Sequence, residues 1–282
     1  MQDFKGQIAV VTGAARGIGR ALAEHCLQMD MRVILADIDE TALAETAEGL
    51  RRSSTNLLTV STDVADASSV QALADVAQQE GEIGLLFNNA GITAPSDLGQ
   101  MWQATDADWQ RLIEVNLWGV IHGCRAFLPL MMKQASPSRI VNTASIAGVI
   151  TAPPIAIYTM TKHAIVSLTE NLDQQLQTQE SNVRASVVCP GFVRTNLVDE
   201  LSGAEGATST MEQNRTWFEE RVADGTDPAQ VAQRIFDGIG EGRRYIFTHT
   251  GFRPAIVERF ERILADLDAA APGESPSTGE AS

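Results

Sequence analysis

The sequence predicts an α/β fold: a doubly wound parallel sheet of about seven strands with helices on both faces. Three observations carry this. Short, nearly continuous apolar runs recur along the chain, longer amphipathic stretches separate them, and a glycine-rich turn joins the first run to the first stretch. Strands buried on both faces read as unbroken β-branched runs rather than as alternating ones. Strands alternating with helices give a parallel sheet with right-handed crossovers.

The strand runs are IAVVT (8–12), RVILA (32–36), LLTVS (57–61), IGLLFN (83–88), RIVNTA (139–144), VRASVV (183–188) and RYIFT (244–248). The helical stretches are 17–30, 40–51, 67–80, 106–134, 156–178, 228–240 and 253–267. Residues 1–267 read as one catalytic domain. Within it, 192–226 breaks the rhythm with Gly203, Gly206 and a Ser/Thr-rich run. An insert of that length in a compact domain is expected to be a substrate lid rather than a bare loop. The tail 268–282, rich in Ala, Gly, Pro and Ser, is expected to be disordered.

The bulk numbers exclude several classes. A net charge of −15 disfavours nucleic acid and anionic membranes as partners. No apolar run is long enough for a signal peptide or a membrane span, which predicts a cytoplasmic protein. The three cysteines and four histidines are scattered, so neither a disulfide framework nor a metal site is expected.

The turn after the first strand is TGAARGIG, with Gly13, Gly17 and Gly19 around Arg16 and Ile18. Glycine tightens such a turn and lets the backbone approach a pyrophosphate, which the following helix N-terminus attracts. Asp37 ends the second strand. It suits the ribose hydroxyls of an adenosine and repels a 2′-phosphate, favouring NAD over NADP; Arg16 is the counter-signal. Asp37 also suits the N-cap of the next helix. Asp63-Val64 follow the third strand, where the carboxylate either meets the adenine amino group or caps a helix, although Asp66 and Ser68 cap better. Asn89, Ala90 and Gly91 follow the fourth strand, small enough for a cofactor crossing the sheet.

The chain has two tyrosines and three lysines, yet Tyr158 and Lys162 stand four apart in YTMTK. A helix puts both on one face. An ammonium about 4 Å from a phenolate contributes on the order of 4 kcal/mol at an effective dielectric near 20. That lowers a phenol pKa by up to about three units, enough for an acid/base at neutral pH. Ser145, at the carboxyl edge of the fifth strand, can hydrogen-bond a reacting oxygen.

TGAARGIG, Asp37, NNAG, VNLWG, Ser145, YTMTK and PGFVRT, taken in this order, resemble the short-chain dehydrogenase/reductase family over residues 7 to about 250. The resemblance implies a Rossmann fold, a nicotinamide cofactor and a catalytic set of Asn116, Ser145, Tyr158 and Lys162. It implies that Asn116 helps hold a water near Lys162 and that Lys162 also bonds the nicotinamide ribose. It implies further that Pro190, Gly191, Val193 and Thr195 border the carboxamide. It also implies a homo-oligomer, dimer or tetramer. Thr161 departs from the family pattern, which often has serine or alanine there.

A small-molecule substrate is expected against Ser145, Tyr158, Ile146, Val149, Ile150, Phe192 and the lid residues Met211, Trp217 and Phe218. These are mostly apolar, which favours a moderately hydrophobic secondary alcohol or ketone; the lid aromatics alternatively pack a core. Arg194 and Arg215 keep an acidic substrate open. The rival functions are a catalytically silent NAD-binding regulator and a lyase or epimerase on the same fold.

Overall fold

The seven apolar runs become seven strands of one parallel sheet: β1 (Ile8–Thr12), β2 (Arg32–Asp37), β3 (Leu57–Ser61), β4 (Ile83–Asn88), β5 (Ser138–Thr143), β6 (Val183–Cys189) and β7 (Tyr245–Phe247). Their order in space is β3-β2-β1-β4-β5-β6-β7. The chain winds outward from β1 in one direction and from β4 in the other, so a crevice opens at the carboxyl ends between them. The computed structural model describes residues 4–52, 54–201 and 208–270.

Pleating divides the strand residues between two cores. Val11, Leu35 and Phe87 face one side with Leu22 and Ile235; Val10, Ile34 and Leu86 face the other with Leu73, Phe127 and Ile165. The first side is covered by α1 (Gly17–Gln28), α2 (Glu40–Arg51) and α8 (Pro228–Gly240). The second is covered by α3 (Ala67–Glu80), α5 (Gly119–Met131) and α6 (Ala156–Thr178). With both faces covered, every residue of β1 and β4 is buried, which is why those runs are apolar up to their last residues, Thr12 and Asn88.

Two expected stretches, 106–134 and the tail, need correction, and the insert gains detail. The stretch 106–134 is not one helix. It is α4 (Asp106–Ile113), a π-helical turn over Glu114–Trp118, and α5. The insert 192–226 contains a helix, α7 (Ser209–Ala223), capped by the Thr208 side chain on the Met211 N–H; Gly203 and Gly206 lie outside the described residues. The last helix, α9 (Arg253–Ala270), runs three residues into the expected tail; 271–282 lie outside the described residues. No described helix is long and apolar enough to cross a membrane.

Candidate active site

The β1–α1 turn makes one end of a cavity of about 1120 Å³ at the carboxyl edge of the sheet. Gly17 has φ +53°, a conformation that L side chains rarely adopt. A Cβ at Gly19 would lie 2.0 Å from the Gly13 carbonyl oxygen, so only glycine allows the turn to fold back this tightly. Arg16 N-caps α1 without a side-chain bond, and no acidic residue lies in the first turn. The free N–H groups of α1 are therefore available to an anion. Thr12 sets the neighbouring loop: its Oγ1 accepts from the N–H of Asn89 at 2.9 Å and of Ala90 at 3.1 Å. This cradle fits the diphosphate of a dinucleotide.

Asp37 lines the same end and is anchored by the Ala15 N–H at 2.9 Å and the Asp39 N–H at 3.1 Å. It does not cap α2; Asp39 does, through the Ala42 N–H at 3.0 Å. Arg16 turns to Asp39 at 2.9 Å. Asp66 caps α3 on the Ser68 N–H at 2.8 Å, which leaves Asp63 as a cavity-lining carboxylate held by the Ala65 N–H.

The middle of the cavity holds Ser145, Tyr158 and Lys162. The Ser145 hydroxyl favours the ionised form of the Tyr158 phenol, against the larger effect of burial. The Lys162 ammonium lies 5.3 Å from the Tyr158 ring centroid and donates to the Thr143 carbonyl at 3.1 Å. Asn116 sits in the π turn with no exposed surface. It clasps Ile92 on both sides, Oδ1 accepting from its N–H at 2.8 Å and Nδ2 donating to its carbonyl at 3.0 Å. A Cβ at Gly91 would come within 3.2 Å of Asn116 Oδ1 and 3.3 Å of Lys162 Nζ, so glycine leaves the space between them open.

Burial decides the charge state of the pair. It pushes the Tyr158 phenol up to about 12 and draws the Lys162 ammonium down to about 8. The lowered phenol expected from the four-residue spacing is not found in the protein alone. Desolvating the phenolate outweighs an ammonium that is itself desolvated and sits over the ring face.

The N-terminus of α6 lacks a local side-chain cap. Its cap comes from Asp97, in the turn after β4. The Asp97 carboxylate, 1% exposed, accepts from the N–H groups of Ile157 at 2.7 Å and Tyr158 at 2.9 Å. That turn also holds the lid: Asn214 on α7 donates to the Leu98 carbonyl at 2.7 Å.

The family model for short chain dehydrogenases matches residues 7–206. The chain belongs to the short-chain dehydrogenase family. It is 38% identical to a family member from Burkholderia phymatum solved in complex with NAD, with a TM-score of 0.89 over 99% of this chain and all of that one. It is 31% identical to a CLA biosynthesis dehydrogenase/reductase of Lactiplantibacillus plantarum, over 94% of this chain and 96% of the relative. It is 32% identical to a 1-deoxy-11-beta-hydroxypentalenate dehydrogenase of Streptomyces avermitilis, over 92% and 90%. These relationships make it an oxidoreductase of a family that uses NAD(P), with the seven-stranded Rossmann sheet read from the sequence.

Within this family frame, the expected cofactor residues Gly13, Arg16, Gly17, Ile18, Asp37, Asp63, Val64, Asn89, Ala90, Gly91, Pro190, Gly191, Val193 and Thr195 all line the one cavity. Gly19 and Asn116 do not; both act from behind the wall, as described above. Among the expected substrate contacts, Ile146, Ile150, Phe192, Trp217 and Phe218 line it. Val149 packs into the sheet core and Met211 against the cluster beneath the lid. Arg194 and Arg215 are also outside, paired with Asp227 at 2.8 Å and Glu219 at 2.9 Å. Sequence reasoning missed Thr12, Asp97 and Arg221. Thr12 directly precedes the glycine turn and was open to notice; Asp97 gives no sign, because its partners are about sixty residues away.

Proposed function

We propose that the protein is an NAD-dependent dehydrogenase/reductase of moderately hydrophobic secondary alcohols and ketones, with Tyr158 as the general acid/base. The observation that carries this reading is the buried Tyr158 phenol at the wall of the cavity that Ser145 also lines, with Lys162 one turn further along α6. When bound, a nicotinamide dinucleotide supplies the hydride donor or acceptor and, when oxidised, a positive charge near the phenol.

The chain's residues do the rest. Ser145 orients the substrate oxygen toward Tyr158 and stabilises developing alkoxide character. For ketone reduction the neutral phenol is already in its working form and donates the proton. For alcohol oxidation Tyr158 accepts the proton, and Lys162 passes it toward solvent through a water that Asn116 helps hold near Gly91. Asp37 selects NAD. Its carboxylate is fixed at the cavity wall, and the guanidinium of Arg16, which lines the same end, is occupied by Asp39. The NAD bound to the Burkholderia phymatum relative supports the same choice. Residues 192–226 serve as the lid, and their aromatic cluster of Phe192, Trp217 and Phe218 forms the apolar wall for the substrate.

The test is Tyr158→Phe, assayed against a panel of hydrophobic secondary alcohols and ketones with both cofactors. Turnover is expected to fall by about 10³-fold, while NAD affinity by calorimetry stays within about twofold. Undiminished turnover would remove Tyr158 from its role.

A further inference from the structure

We infer that Arg221 is an anion anchor, and that the substrate carries a carboxylate at the end remote from its carbinol or ketone. This rests on the dehydrogenase reading above. The substrate end of the cavity is built from apolar side chains, among them Ile146, Ile155, Phe192, Leu197, Phe218 and Phe252. Arg221, on the last turn of α7, lines the cavity beside this apolar wall, over the ring of Trp217. Chance does not favour this in a chain with 36 acidic residues against 21 basic ones.

The other arginines near the lid are already partnered. Arg194 and Arg215 pair with Asp227 and Glu219. Arg221 forms no ion pair among the described residues; its guanidinium lies 5.6 Å from the ring centroid of Trp217. Stacking on an aromatic face uses the plane of the guanidinium and leaves its edge donors free. A carboxylate takes two such donors side by side, a geometry that lysine cannot offer. The Trp217 ring in turn meets Phe192 edge-on, at 5.6 Å between centroids, which continues the apolar wall toward Tyr158. A hydrophobic hydroxy acid or keto acid matches this layout: carbinol at Tyr158, apolar body along the wall, carboxylate at the mouth.

The experiment uses the purified full-length protein with (ω−1)-hydroxy fatty acids of graded length, their methyl esters, and neutral secondary alcohols. At the best length, the acid is expected to exceed its ester about tenfold in kcat/KM, mostly through KM. Arg221→Gln is expected to bring that ratio close to one and Arg221→Glu to invert it. Arg215→Gln, on the same helix but outside the cavity, is expected to leave the ratio as it was. Equal use of acid and ester by the wild type, or a ratio untouched by Arg221→Gln, overturns the inference while neutral alcohols still turn over. If no hydroxy compound turns over, the dehydrogenase reading fails, and calorimetry with decanoate and decanol decides the anchor separately. An Arg221-dependent preference for decanoate sustains it; its absence overturns it.

Discussion

Helix α6 buries a charge near each end, and the two are treated in opposite ways. Asp173, toward its C-terminus, has no exposed surface and is saturated. Arg184 reaches it at 2.9 Å, Arg244 at 2.8 Å, and the Ala185 N–H at 3.1 Å. These partners outweigh desolvation and hold its carboxyl well below the usual range. Lys162, about three turns earlier, is 3% exposed and donates to one carbonyl, Thr143. Cys189 offsets its burial only in part, and its ammonium falls to about 8. The saturated charge ties β6, β7 and α6 together. The undersatisfied one keeps donor capacity facing the cavity, where a ligand or a proton can use it.

The contrast can be broken in several ways. The largest expected effect is from Lys162→Met, which should lower turnover by at least about 10²-fold while leaving the folded protein as stable as the wild type or more so, as measured by urea unfolding at pH 7. A large loss of stability would show that Lys162 is structural. Asp173→Asn should do the reverse. It leaves two guanidiniums without their carboxylate and is expected to cost about 3–5 kcal/mol, with turnover per folded molecule retained. Turnover lost in step with Lys162→Met would erase the distinction.

Smaller effects sharpen it. The Lys162 ammonium is disfavoured in the fold, so the unfolded chain holds its proton to higher pH. The contribution of Lys162 to stability is therefore expected to rise by about 3 kcal/mol between pH 8 and 10.5. Tyr158 runs the other way, its contribution being lost from pH 10 toward 12. The buried cysteines also run the other way above about pH 9, so the Lys162 contribution is read as the difference in unfolding free energy between wild type and Lys162→Met across that window. Asp173 contributes throughout that range and weakens only as pH falls below about 4. The smallest effect is at the far end of the cavity. Asp37→Ala should shift the NAD-to-NADP ratio of kcat/KM by about tenfold toward NADP, and an unchanged ratio would leave Asp37 as a backbone brace for Ala15 and Asp39.

Much of this was readable from the residues because the physics was local. A strand buried on both faces is mostly apolar, as β1 and β4 are up to their last residues, Thr12 and Asn88. A helix must bring positions four apart together, as with Tyr158 and Lys162. What stayed hidden depends on distance or on a small geometric change. EVNLW has ordinary helical composition, so the π turn that seats Asn116 leaves no mark in the sequence. Helix α7 buries little beyond Phe218 and Val222, too thin an apolar stripe to announce itself. The direction of the Tyr158 shift needed the depth of burial as well as the spacing. Arg221 was legible in part, four residues after Trp217, but only the cavity separates it from Arg194 and Arg215.

Asp97 carries a practical consequence. The turn between Thr93 and Gly99 borders the lid, and for anyone seeking a new substrate range it is a natural segment to exchange for that of a relative. Such a graft would also replace the acid that fixes the first turn of α6, and the phenol would drift even though every residue around it was unchanged. Libraries built on this scaffold should randomise around position 97 and leave the aspartate in place.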